Sequence, residues 1–415
     1  MRPIALLLLI VSPLASVTAH ADEPPLRMEV ESAAGTFAAT PSAEYMLRFR
    51  HFEARDFTPG TTSDFLRHRA RLGLDLDWES RVGVFVQVQD IRLLGEELDT
   101  LGDFDADGFD LHQGYARVRP FEQLELRIGR QEIAYENHRL IGTVAWLEQA
   151  RSFDAFRISF DEGMLHADAF YAKVVEGAAA SHQDAGVDGD VDLLAGNLHV
   201  AAFDELDVAL VGVLETSHSR NLGTAGGIVG GKTSVGFSYA LEGYGQFGSA
   251  RGDVTHRAYL LSGRLGQQID VATTPYVRSF VDYVSGDSDP SDDVRSSFTT
   301  LYSTAHKFHG EMDFFLNLPR DTNEAGLIDL GGMLGFHPVG KMDLGVTYHN
   351  FRTAAATPTG ATTFGHELDT ILSYRPWAPL SLDVVYAFLV PEALYRQSRG
   401  DTLEHFAYST LRVKL

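Results

Sequence analysis

Five arginines recur at alternate positions in two short stretches, Arg48 and Arg50, then Arg67, Arg69 and Arg71. A spacing of two places them on one face of a β-strand. Guanidinium groups held in such a row match carboxylates bidentately, so the row could favour an anionic solute. Arg117, Arg119, Arg127, Arg157, Arg278, Arg412 and Lys414 fall on the same parity of their own stretches. Asp75, Asp77, Glu125 and Asp282 share that parity, and could neutralise the cations in ladders that merely hold a wall together. Both readings stay open at this stage.

A second constellation is acidic. Asp103, Asp105 and Asp107 precede Gly108 in the order that opens a calcium loop, D-x-D-x-D-G. The twelfth position is Gly114 rather than glutamate, so the full motif is not completed. Calcium at an external loop is the one ion this suggests, and no other cofactor is expected. The acidic runs 184–192 and 287–293 could meet lipopolysaccharide through divalent ions. Glu367 and Asp369 form a carboxylate pair at i and i+2 without an acid/base signature around it. The sequence has no G-x-S-x-G or H-E-x-x-H motif. His68, His199 and His349 read as wall residues rather than metal ligands.

What positions these residues is a run of strands. In residues 66–78, Leu66, Leu72, Leu74, Leu76 and Trp78 alternate with Arg67, Arg69, Arg71, Asp75 and Asp77. Val82, Val84, Val86 and Val88 continue the pattern, as do Leu124, Leu126 and Ile128. It returns at Met342–Tyr348 and at Leu380–Tyr386. Many of these stretches reach the roughly 9–11 residues that a tilted strand needs to cross a bilayer. Short turns, such as 79–81, 120–123 and 376–379, alternate with long polar connections, such as 94–109, 134–151, 176–190 and 286–326. That rhythm is the pattern of periplasmic turns and external loops in an outer-membrane barrel. An even count is required, and the glycine-rich segment Leu222–Val229 supplies the strand that completes about 18. The fold class is therefore all-β, a transmembrane antiparallel up-and-down barrel. If the apolar parity faces lipid, the arginines face the lumen, because arginine on the lipid face at mid-bilayer costs about 2–4 kcal/mol.

Composition agrees. The 415 residues carry 34 basic and 57 acidic side chains, a net charge of −23, which argues against a nucleic-acid partner. Mean hydropathy is −0.09 and no stretch repeats the long apolar runs of a helical membrane bundle. The chain has no cysteine, which excludes disulfides and thiolate zinc sites. Residues 1–21, with Arg2, the run Ile4–Val11 and Ala19-His20-Ala21, read as a signal peptide cleaved after Ala21. Residues 22–42 read as an N-terminal periplasmic segment, and 43–415 as the barrel. Leu411, Val413 and Leu415 alternate outward at the C-terminus, a signal suited to barrel-assembly machinery.

Several runs resemble the alginate-export family of outer-membrane porins. They include Ile128-Gly129-Arg130-Gln131, His138-Arg139-Leu140-Ile141-Gly142, Trp146 and Arg151-Ser152-Phe153-Asp154. Tyr283–Asp287, Leu301-Tyr302, His306-Lys307-Phe308, Met312–Phe315, Gly365–Asp369 and Tyr374-Arg375 follow in order. The resemblance spans roughly residues 65–415 and implies an 18-stranded export porin in the bacterial outer membrane. It implies an arginine-lined lumen passing an anionic polyuronate. The resemblance does not place that family's arginines one by one; by strand parity Arg48, Arg50, Arg67, Arg69, Arg71, Arg117, Arg127, Arg157 and Arg278 line the pore.

The longest connection, about 286–326, is too long for a plain hairpin and is rich in Phe298, Leu301, Tyr302, Phe308, Met312, Phe314 and Phe315. Residues 298–316 are expected to fold inward and narrow the pore, with Lys307 able to meet an anion. The functional expectation is passive passage of an anionic polysaccharide or another anionic solute. A general small-anion porin is the alternative in the same location. A secreted β-rich carbohydrate-active enzyme is the alternative from another class.

Overall fold

The computed structural model describes residues 27–32, 35–95, 108–175, 189–203, 205–217, 220–249, 254–289 and 291–415. Its alternating stretches form one antiparallel wall. The first six strands are β1 (Gly35–Glu53), β2 (Thr62–Trp78), β3 (Val82–Leu93), β4 (Phe109–Phe121), β5 (Leu124–Gln131) and β6 (Phe153–Glu162). Next come β7 (Leu165–Val175), β8 (Val191–Phe203), β9 (Leu206–Ser217), β10 (Arg220–Lys232), β11 (Phe237–Ser249) and β12 (Thr255–Gln268). The last six are β13 (Tyr276–Val284), β14 (Leu327–Phe336), β15 (Met342–Arg352), β16 (Thr363–Trp377), β17 (Leu380–Pro391) and β18 (Glu404–Lys414). Each pairs with its neighbour, and β1 pairs with β18 from Glu44↔Lys414 to Glu53↔His405, which closes the cylinder. The sheet has 20 strands, of which Met28–Ser32 and Val294–Arg295 are short attachments, leaving 18 in the closed wall. The weakly patterned segment Leu222–Val229 lies inside β10.

The alternation read from sequence is the alternation of exposure. On β2, Leu72 is 64% exposed while its neighbour Arg71 is 7% exposed. Val82, Val84 and Val86 on β3, and Leu194 and Leu198 on β8, are likewise exposed on the outer face. That face is an apolar band suited to hydrocarbon. Connections at one end are short, as at 122–123 and 378–379; those at the other include 132–152, 285–326 and 392–403.

The N-terminal boundary differs from the expectation. Residues 22–42 were expected to precede the wall, yet β1 begins at Gly35 and pairs with β2 from Phe37↔Trp78 onward. Met28–Ser32 then folds back on Ala39–Gly35, taking the edge that β18 leaves unpaired. The edge of residues 35–39 facing away from β2 would otherwise lack backbone partners. Closure against β18 still starts at residue 43, where Ala43 N–H donates to the Leu415 carbonyl at 3.0 Å. Residues 1–21 and Asp103, Asp105 and Asp107 lie outside the described residues.

Two loops enter the cylinder. The connection read from sequence as the external polar loop 134–151 spans 132–152 and turns inward: Ile133, Tyr135, Leu140 and Ile141 are buried in the barrel's own apolar cluster. Side chains of this kind cost free energy when left in water, so the segment turns inward. Connection 285–326 joins the same cluster through Phe298, Met312, Phe314 and Phe315. There Phe314 stacks on Phe57, ring centroids 5.5 Å apart, and Phe315 meets Phe351 at 4.7 Å.

Candidate functional site: a constriction built by two inward loops

The two loops meet edge to edge. Gly142 N–H donates to the Tyr302 carbonyl at 2.9 Å, Tyr302 N–H to Leu140 at 3.0 Å, and Thr304 N–H to His138 at 3.0 Å. Ile141 and Tyr302 thereby form an isolated parallel bridge. The pairing satisfies backbone groups that burial inside the barrel would otherwise leave without partners.

Side chains tie this pair to opposite parts of the wall. On the β1–β2 side, Glu148 is fully buried and takes Arg48 at 3.3 Å, Arg50 at 2.9 Å and Arg67 at 3.5 Å. Arg48 also donates to the Trp146 carbonyl, and its guanidinium lies 4.0 Å from the Trp146 ring centre. On the far side, Arg139 reaches Asp282 of β13 at 2.9 Å and Glu242 of β11 at 3.2 Å. The Phe308 ring covers the same guanidinium at 3.7 Å. One loop therefore bridges β1 and β13, which it can do only by crossing the lumen.

The predicted cations are placed as follows. Arg69 pairs with Glu44 and also donates to the Glu148 carbonyl at 2.9 Å. Arg71 contacts Glu132 at 3.4 Å and Gln89 at 3.1 Å. Arg117 is held between Asp75 at 2.7 Å and Asp77 at 2.6 Å. Arg119 and Arg127 share Glu125, and Arg157 meets Asp168 at 2.6 Å. Arg117, Arg119 and Arg127 thus pair with Asp75, Asp77 and Glu125, acids of the shared parity, whereas Asp168 was not among those singled out. Arg278 lies 4.6 Å from the Tyr276 ring and borders a cavity with Lys307. Arg412 contacts Met46 Sδ at 3.6 Å, and Lys414 is exposed at the end of β18.

Sequence reasoning missed the counter-ions. Glu148, Glu44, Glu132 and Glu242 gave no signal of their own, nor did Arg139 as a bridging cation. The only available hint was apolar: Ile133, Leu140, Ile141 and Trp146 are too many large side chains for a solvated loop.

Loop 285–326 is seated through Glu367 of β16. Met312 N–H donates to Glu367 Oε1 at 2.9 Å. Gly310 passes over the same carboxylate with φ +83°, and an added Cβ would lie 2.3 Å from Oε1. Only glycine fits that approach. His306 lies between Asp313 at 2.6 Å and Glu311 at 3.3 Å, and Tyr408 O–H donates to Glu311 at 2.7 Å. Burial pulls the His306 pKa down, but the two carboxylates outweigh it and raise it to about 9. Among the described residues Lys307 has no such partner, and burial lowers its ammonium pKa to about 8.

Two loops thus meet inside a closed barrel, and known proteins share that barrel. A family model described as alginate export matches residues 39–396. The chain belongs to the alginate export family. It is an outer-membrane porin, as the closed barrel of this family member also indicates. No curated protein matches it. Among solved structures it is similar to OpdO of Pseudomonas aeruginosa, with a TM-score of 0.63 and 12% identity over 91% of this chain and 97% of that one. The outer membrane protein OpdK of Pseudomonas aeruginosa gives 0.60 and 14%, covering 90% and 98%. A BenF-like porin from Pseudomonas fluorescens Pf-5 gives 0.62 and 12%, covering 91% and 99%. At these identities the likeness speaks for the fold, and the alginate export match carries the family.

Proposed function

We propose that this porin passes anionic solutes, an alginate-like polyuronate foremost, by diffusion past a constriction with an excess of positive charge. The observation that carries the reading is the charge count at the β1–β2 face. Five guanidinium groups, of Arg48, Arg50, Arg67, Arg69 and Arg71, meet three carboxylates, of Glu148, Glu44 and Glu132. The two surplus positive charges lie in a lumen with low-dielectric walls, where a field is screened less than in bulk water. Arg67 keeps 35% of its side chain exposed, so it is the guanidinium best able to meet a passing carboxylate. Passage needs no bond to form or break, so the protein acts as a transporter and not as an enzyme.

A small-anion porin is the second reading, favoured by the two loops that meet inside the lumen. They leave a crowded passage better suited to a small solute than to a bulky chain. The solved OpdK complex with vanillate offers a parallel on the same fold. The acyl chains and lipopolysaccharide around the wall are its expected surroundings.

Reversal potentials across a planar bilayer in a potassium chloride gradient test the charge reading directly. Anion preference supports it, and cation preference overturns it. Oligouronates of increasing length then separate the two readings: block by short oligomers alone favours the small-anion pore.

A further inference from the structure

Loop 285–326 borders a cavity of about 180 Å³, well above what one ordered water needs. Lys307 of the loop and Arg278 of β13 border it, with Thr347 of β15 and Asp369 of β16 on its wall. Thr347 and Asp369 are direct cross-strand partners. Thr347 Oγ1 and Asp369 Oδ1 are both buried, and among the described residues Thr347 Oγ1 has no hydrogen-bond partner and Asp369 Oδ1 no N–H or hydroxyl donor. Buried polar atoms without partners are uncommon and costly, and two side by side at one cavity suggest a ligand's place. The Asp369 carboxyl also meets the Glu367 carboxyl two residues along β16, and its Oδ2 lies 3.6 Å from His349 Nε2. Among the described residues, no carboxylate pairs with Lys307. Met333, Ile371 and Phe280 complete an apolar side.

We infer that this cavity is a binding subsite for a hydroxylated ring carboxylate, a role that rests on the anion-porin reading. The carboxylate lies against Lys307 Nζ and the Arg278 guanidinium, a charge-assisted contact. One ring hydroxyl bridges the orphan pair, donating to Asp369 Oδ1 and accepting from the Thr347 hydroxyl. Opposed side chains of an antiparallel pair stand about 4.5–5.5 Å apart at Cβ, so a single oxygen can reach both. The ring's apolar face covers Met333 and Phe280. The cation pair would hold any carboxylate, whereas the orphan pair discriminates by hydroxyl.

Current-blockade recordings on the full-length porin in bilayers test this with two probes, glucuronate and cyclohexanecarboxylate. Both carry a six-membered ring and one negative charge, and only the first has hydroxyls. Glucuronate is expected to stay longer in the wild-type pore. Thr347→Val, which preserves shape, and Asp369→Asn should each lower the ratio of the two residence times about three- to tenfold, the worth of one hydrogen bond. Heat-modifiable migration on gels shows that each variant is folded. Equal residence times in the wild type, or a ratio that neither substitution moves, overturn the subsite. The chloride-to-potassium permeability ratio, read on the same channels, reports separately on the anion-porin reading. An anion-selective channel with no glucuronate preference sinks the subsite alone. Cation selectivity sinks the functional reading on which the subsite rests.

Discussion

Trp146 of one inward loop lies flat on His306 of the other, with ring centroids 3.7 Å apart and planes inclined by 3°. Trp146 Nε1 also donates to Asp313 Oδ2 at 2.9 Å, the residue whose other oxygen holds His306 Nδ1 at 2.6 Å. The contact between the loops is thus charged as well as stacked. Its strength depends on whether the imidazole carries a proton.

That dependence has a definite sign. The His306 pKa is raised from 6.5 to about 9, so its stabilising contribution is complete below pH 6.5 and is lost as pH rises through about 9. Between pH 7 and pH 10 the loops should loosen, and channel current should become noisier. His306→Gln should flatten that pH profile. A His306→Gln channel with the wild-type profile would place the titrating group elsewhere.

Glu148 is the shared counter-ion of Arg48, Arg50 and Arg67. Glu148→Gln leaves three buried or half-buried guanidinium groups with no carboxylate among them. Breaking a buried pair costs about 3–5 kcal/mol, so the folded barrel should unfold at lower temperature in heat-modifiability assays. Any folded fraction should be more anion-selective than wild type, because one negative charge has left the lumen.

Arg67 is the least buried member of that cluster, and its pairing is the longest. Arg67→Gln should lower the anion-to-cation permeability ratio with little effect on folding. Arg69→Gln, by contrast, strips Glu44 of its partner and should also destabilise the barrel. A reversal potential unchanged in Arg67→Gln would reduce that arginine to a structural role.

Gly310 cannot accept a side chain over Glu367 without a shift of the loop. Gly310→Val should unseat residues 308–312 and raise single-channel conductance. Deleting 298–316 should raise it severalfold if the barrel still assembles. Conductance at the wild-type level in both would mean that the narrowest point lies away from this loop.

Much of the wall was legible because a strand's side-chain period is two and lipid punishes error. The outward Leu72 and Val84 and the inward Arg69 and Arg71 obey one parity, and turn lengths set the strand count. Arg117 with Asp75 and Asp77 was legible for the same reason, since neighbouring strands bring near parities together. The lumen was not. Glu148 lies 98 residues from Arg50 and 100 from Arg48 in sequence, and no periodicity links them. Their meeting depends on a loop that turns inward, and that turn is decided by apolar burial spread over Ile133, Leu140 and Ile141.

The first and last strands are joined by backbone bonds from Glu44 to Glu53, and the inner loops grip both sides of that seam. Arg48 of β1 holds Trp146 and Glu148, while Tyr408 of β18 holds Glu311. The obstruction therefore doubles as an internal rivet across the place where the cylinder was zipped shut. A solute that pushes the loops aside draws on contacts that also keep the ends of the wall together. Opening the passage and straining the seam are one mechanical event.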